Sequence, residues 1–396
     1  MIRRADTPPS GHADRAGPLA GVLVADFSRV LAGPLATMTL ADLGADVVKV
    51  ERPVSGDETR GWAPPVAADG TATYYLSVNR NKRSIALDLS TPDGRQLARE
   101  LAVRADVLVE NFAPGTMERF GLGYDALAVD NPALVYASVT GFGRDAGAAL
   151  PGYDFLVQAV GGLMSITGEP DGEPTKVGVA LVDVLAGLHL ATGVTAALLA
   201  RARTGRGQRV EVSLLGALMA SLVNQASGQL NADAEPSRMG NAHPSIAPYQ
   251  TLRTADRPIA VAVGNDRQFS RMAAVVGLDT DPRFATNQSR VRHREVLVAA
   301  LEKLLSARPS AHWQAALQSA GVPCGPVNTV AEGLALAERL GLAPIVRQER
   351  DGVDVRTIAN PVGLSDTPVS YRRPPPGLGE QTAEITEWLA GERRRP

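Results

Sequence analysis

Asp183 is the one acid in the run KVGVALVDVLAGLHLATGVTAALLAR (176–201), which is otherwise apolar or neutral between Lys176 and Arg201. Burying a carboxylate without a partner is costly, so its presence needs a reason. One reason is structural. Asp is a favoured N-cap, and a helix running from Val184 to about Arg203 would gain roughly 0.3–1 kcal/mol from a negative charge at its start. The other is chemical. A helix N-terminus favours the charged form of an acid, and an ionised carboxylate in a dry pocket is a nucleophile that needs no partner base. The two readings are compatible.

Other chemistries find less support. Histidines 12, 189, 243, 293 and 312 are scattered without metal-ligand spacing, so no metal site is expected. His189 reads as a packed helix residue. Cys324 lies in GVPCGPV with no nearby histidine and reads as an inert thiol. GRDAG and GDETRG lack the lysine of a P-loop.

The elements around Asp183 alternate. GVLVADFS (21–28) reads as a buried parallel strand, a helix opens at Gly33-Pro34, and ADVVKVE (45–51) is the next strand. A second helix starts at Thr91-Pro92, followed by strands DVLVEN (106–111) and ALVYASVTGFG (133–143). This pattern predicts an α/β fold with an open, mostly parallel sheet, which binds ligands beyond the carboxyl ends of its strands. Those ends carry SRVLAGP, ERPVSGDETRGW, ENFAPG and GFGRDAG, and no G-x-G-x-x-G follows the first strand. The texture then changes. The expected division is a polar, disordered tail over 1–17, a large α/β domain over 18–224, a smaller α+β domain over 225–330, and a C-terminal segment over 331–396 that returns to the large domain. The smaller domain should hold a loop followed by a short β-hairpin over 237–265, amphipathic helices over 293–306 and 310–320, and a turn and strand over 321–330.

At 396 residues with a net charge of −2, the chain has no general attraction to nucleic acid or anionic lipid. Its single cysteine suits a reducing, cytoplasmic compartment. Residues 177–200 are long enough to span a membrane, but Gly178, Gly187, Gly193, Asp183 and His189 argue against it. The first residues lack the apolar core of a signal peptide.

Over about 18–385 the chain resembles the class III CoA-transferases, the formyl-CoA transferase (CaiB/BaiF) type. The matching stretches run from LAGVLVADFSRVLAGPLATM and GDETRGW through YYLSVNRNKRSIALDL and DVLVENFAPGTMERFGLGY to PGYDFLVQAVGGLMSITGEPDGEPTKVGVALVDVLAGLHLATG. RVLAGPLATM, YYLSVNRNKRSIA and RMGNAHPSIAPYQ look most like the succinate/glutarate-type dicarboxylate enzymes. The resemblance implies a Rossmann-like large domain, a small domain, and two subunits threaded through one another as an interlocked homodimer. It implies acyl-CoA and a carboxylic acid as substrates, with no tightly bound cofactor. It puts the nucleophile on Asp183, in the G-x-x-x-x-D-x-x-x-G context of Gly178 and Gly187. The family's CoA contacts fall on Arg29, Ala32, Arg52, Leu87, Asn111, Phe112 and Arg119. Arg29 and Leu31 differ from the formyl-type enzyme, which has His and Gln there. Both departures weigh against formyl or oxalyl chemistry.

A sister branch, the α-methylacyl-CoA racemases, uses a G-H-D histidine where this chain has Gly152-Tyr153-Asp154. Tyrosine is a poor base at neutral pH, so racemisation is the alternative reading, and an idle acyl-CoA-binding subunit is another. Asp154 is a secondary catalytic candidate. The far carboxylate of a dicarboxylate substrate would need a cation, for which Arg80, Lys82, Arg83, Arg238 and His243 are candidates.

Overall fold

The computed structural model describes residues 17–391, so the expected tail falls almost wholly outside the described residues. The chain divides into two compact units. The first holds residues up to Gly161, Gly178–Ser227 and Ala343 onward; the second holds Gly162–Val177 and Gly228–Leu342. The divisions therefore lie at 227/228 and 342/343 rather than 224/225 and 330/331. The short segment Gly162–Val177 leaves the first unit for the second.

The first unit is built on six strands: β1 (Leu23–Asp26), β2 (Asp46–Glu51), β3 (Lys82–Ala86), β4 (Val107–Glu110), β5 (Val135–Thr140) and β6 (Arg209–Ser213). All pair in parallel, in the order β3-β2-β1-β4-β5-β6. That is the order of a doubly wound sheet, with its topological switch point between β1 and β4. β1 (LVAD) and β4 (VLVE) are buried along their whole length, as central parallel strands must be.

Two helices matter most for the site. Ala32–Asp42 is apolar nearly all round and correspondingly buried, with Pro34 in its first turn. Leu181–Thr204 packs against it. Gly187 makes the contact possible, because a Cβ there would meet the Ala32 carbonyl oxygen at 2.6 Å. Leu181–Thr204 is long and apolar enough to cross a membrane by length and composition. Its Val182, Ala186, Leu190, Val194 and Ala197 are nevertheless buried in the first unit, as in the core helix of a folded domain.

The C-terminal residues close the β3 edge. Gln381 N–H donates to the Ser84 carbonyl (2.9 Å), and the Thr382 hydroxyl accepts from Ala86 N–H (2.9 Å). The helix Thr382–Gly391 buries Ile385 and Leu389 among Ile85, Leu101 and Leu108. An open strand edge is thereby covered.

The second unit has a three-stranded antiparallel sheet of β7 (Tyr249–Leu252), β8 (Ile259–Ala262) and β9 (Cys324–Pro326). The helices Asp266–Val276, Arg294–Leu305 and Ser310–Ser319 share one apolar core with it. Val330–Arg339 is also a helix of this unit, opened by a capping box of Thr329 and Glu332.

Candidate active site

β1 and β4 deliver two loops to the switch point, and one side chain joins them. Asn111 accepts from Arg29 N–H (2.9 Å) and donates to the Arg29 carbonyl (2.7 Å). Glu110, at the end of β4, accepts from Phe112 N–H (2.9 Å), and burial pushes its carboxyl up to about 7. The Arg29 guanidinium lies over the Phe112 ring at 4.8 Å and pairs with Glu58.

Two cavities meet here, and both are lined by Arg29, Glu58 and Phe112. The smaller, about 160 Å³, is walled by Arg52, Leu87 and Ser90. The larger, about 500 Å³, reaches Ala32, Trp62, Asn111, Tyr153 and Asp183. Among its lining residues Arg29 is the one cation and Glu58 and Asp183 are the acids.

Asp183 does not cap its helix. The helix begins at Leu181, two residues before it, and the capping group is Asp154. Asp154 Oδ1 accepts from Val182 N–H (2.8 Å) and Asp183 N–H (3.2 Å), while Gln158 donates to Oδ2 (2.6 Å). The Asp183 carboxylate itself has no hydrogen-bond or ion-pair partner among the described residues. Burial, and secondarily the Asp154 charge, push it up to about 7. This corrects the expectation that the helix dipole would hold it ionised. The free N–H groups that carry the dipole are already taken by another carboxylate, so desolvation prevails. Tyr74 is pushed up to about 12 by its own burial and by the charges of Asp183 and Asp154, so its hydroxyl stays protonated near the acid. Its ring meets Trp62 edge-on at 5.1 Å.

Of the expected CoA contacts, Arg29, Ala32, Asn111 and Phe112 line the larger cavity, and Arg52 and Leu87 the smaller. Arg119 lines neither; it is exposed and donates to Thr116 (2.9 Å). Arg80, Lys82 and Arg83 are corrected as free cations for a substrate carboxylate. All three are buried, on or beside β3, and spent on the framework. Arg80 pairs with Asp42 (2.6 Å), Lys82 with Asp26 (3.1 Å), and Arg83 with Asp46 (2.8 Å). Burial pulls Lys82 down to about 8 despite Asp26. Arg238 and His243 belong to the second unit. Arg238 donates to the Glu169 carbonyl (3.3 Å), and the His243 ring tilts against Tyr249 at 5.3 Å.

Sequence reasoning passed over Glu58, Trp62 and Tyr153 as cavity walls. The signal available for the first two was their place in the polar segment after β2. Among the described residues no group of three or more His, Cys, Asp or Glu side chains has metal-holding geometry.

Residues 19–382 match the sequence profile of CoA-transferase family III. The chain is 42% identical to the succinate–glutarate CoA-transferase of Agrobacterium fabrum, across 94% of this chain and 96% of that one. It is 40% identical to the acetyl-CoA:oxalate CoA-transferase of Acetobacter aceti, again across 94% and 96%. A crystal structure of a CaiB/BaiF family protein from Brucella suis superposes with a TM-score of 0.85 at 42% identity, covering 94% of this chain and all of that one.

Proposed function

The chain belongs to CoA-transferase family III, and on that footing we propose that it moves coenzyme A from a dicarboxylyl-CoA, succinyl-CoA in the first instance, to a free carboxylic acid with Asp183 as the covalent relay. The observation that carries this reading is the unpartnered Asp183 carboxylate in the wall of the larger cavity.

An Asp183 oxygen attacks the thioester carbonyl carbon, and the carbon–sulfur bond breaks to leave an aspartyl–acyl anhydride and CoA thiolate. The thiolate attacks the aspartyl carbonyl, releasing the donor as its carboxylate and leaving an aspartyl–CoA thioester. The acceptor carboxylate attacks that thioester and expels the thiolate. The thiolate then takes the acyl group from the new anhydride and restores Asp183. Each step conserves the thioester's reactivity, provided water is excluded. Leu31 and Ala32 line the same cavity, and their N–H groups, for which no partner is found among the described residues, would suit the developing oxyanions. The Arg29 and Arg52 guanidiniums suit the phosphates of the CoA tail.

The similarity to an acetyl-CoA:oxalate enzyme, at 40% identity, keeps oxalate among the acceptors to be tried. Neither racemisation nor an idle binding site is retained, because the relatives compared are transferases.

The test offers succinyl-, glutaryl-, acetyl- and oxalyl-CoA with free succinate, glutarate, oxalate and propionate, and reads products by mass spectrometry. Hydroxylamine added during turnover should convert Asp183 to its hydroxamate. Ordinary turnover by Asp183→Ala, or a preference for monocarboxylate pairs alone, sinks the reading.

A further inference from the structure

The turn after β1, whose Arg29 lines both cavities, contains a strained residue. Val30 has φ = +68°, a left-handed conformation that a β-branched side chain adopts only when its surroundings impose it. It lies between Arg29, common to both cavities, and Leu31, which opens the helix packed on Gly187.

Two side chains grip this turn. Asn111 holds the Arg29 backbone from the β4 side. On the β2 side, Val30 N–H lies 3.3 Å from both carboxylate oxygens of Asp57. Asp57 is itself fixed. It pairs with Lys49 (2.9 Å) with both side chains fully buried, and accepts from Thr59 N–H (2.9 Å) and Thr59 hydroxyl (2.7 Å). Its own N–H donates to Glu51 (3.1 Å), and Lys49 also donates to the Ser28 carbonyl (2.8 Å).

We propose that Asp57 is a positioning residue for the transfer reaction: it holds Val30 in its left-handed conformation and so sets where Arg29 and the N–H groups of Leu31 and Ala32 stand relative to Asp183. This rests on the larger cavity being the transfer site. Displacements of about 1 Å at such a site cost up to 100-fold in rate, and a strained turn returns to ordinary φ when its clasp is lost.

A lone Asp57 substitution would leave Lys49 buried without its partner, so all variants carry Lys49→Met. Lys49→Met/Asp57→Asn keeps an oxygen that accepts from Val30 N–H; Lys49→Met/Asp57→Ala does not. The alanine variant should transfer CoA at least tenfold more slowly in kcat than the asparagine variant, at matching melting temperatures. Adding Val30→Gly to the alanine variant should recover most of that loss, because glycine adopts positive φ without a clasp. Equal kcat for the asparagine and alanine variants overturns the proposal, as does a deficit that glycine at position 30 leaves unchanged. Asp183→Ala runs alongside in the wild-type background. Turnover surviving that change sinks the site itself, whereas its loss together with a flat response at position 57 sinks only the role of Asp57.

Discussion

Asp154 caps the helix that carries Asp183, reaching it from 29 residues upstream and accepting from the Asp183 N–H itself (3.2 Å). One carboxylate thus occupies the anion-attracting end of the helix and leaves the other exposed to the cavity without a hydrogen bond. Asp154→Ala should free two backbone N–H groups and destabilise the protein by about 1 kcal/mol, the usual cost of a lost cap. Asp154→Asn keeps the acceptor and loses the charge. It should leave the melting temperature almost unchanged while moving the acid limb of kcat/KM to lower pH, since the Asp154 charge is one of the two causes that raise Asp183. Thermal melts and pH–rate profiles of the two variants separate these effects.

The nucleophile must be ionised, and burial raises Asp183 to about 7. Activity with saturating acceptor should therefore fall as pH drops through 7, with kcat/KM for acyl-CoA reporting the free enzyme. Asp183→Ala should lose at least about 10³-fold, as removal of a covalent nucleophile does. An acid limb near 4, the region of an unperturbed aspartate, would show that the side chain is solvated.

The same burial makes a stability statement. Between the ordinary value of 3.8 and about 7 the folded protein binds a proton that the unfolded chain has released. Stability from this group therefore falls as pH rises across that window. Asp183→Asn should be more heat-stable than the parent at pH 8 and indistinguishable from it near pH 4. The comparison needs only melting curves at the two pH values.

The parts of this fold legible in the sequence are those whose burial is apolar. β1, β2, β4 and β5 stand out as short, valine-rich, mainly apolar runs, although β2 carries the buried Lys49 in its middle, and the helix after Gly33 stands out by its apolar residues. β3 (KRSIA) did not, because its inward side chains include Lys82 and Arg83, kept below the surface by Asp26 and Asp46. A charged pentapeptide read alone is a solvated loop; its partners lie 37 to 56 residues away. The helix Val330–Arg339 was missed for another reason. Its Thr329-x-x-Glu332 capping box lies in the sequence, but the residues beyond it read as strand-like and Pro-rich segments and mask the helix. Asp183 is conspicuous in the sequence as the one acid in an apolar run, while the capping role of Asp154 depends on tertiary approach and has no local signature.

Gly187 should tolerate no side chain. A methyl group there would sit 2.6 Å from the Ala32 carbonyl oxygen, a backbone atom that cannot swing aside. Gly187→Ala should destabilise the first unit by about 1–3 kcal/mol, in the range of overpacked cores. It should also lower kcat, because the helices carrying Ala32 and Asp183 are forced apart. Chemical denaturation with parallel kinetics checks both, and a stable but inactive variant would isolate the second effect.

Arg29 and Glu58 should act with opposite signs on acyl-CoA affinity. Arg29 is the cation common to both cavities, its ring contact with Phe112 orients it, and Glu58 holds its guanidinium when no ligand competes. Arg29→Lys loses the forked donor set and the flat face that lies on Phe112, so KM for acyl-CoA should rise about tenfold, the equivalent of one charge-assisted hydrogen bond. Glu58→Gln removes the competing carboxylate. The pair is partly exposed, with side-chain exposures of 34% and 46%, so its release should lower KM only about two- to fivefold. Raising ionic strength should shrink the difference between Glu58→Gln and the parent, since salt screens the pair that the substitution removes. Steady-state KM values at two salt concentrations decide it, and a rise in KM for Glu58→Gln would show that Glu58 orients Arg29 for the ligand instead of withholding it.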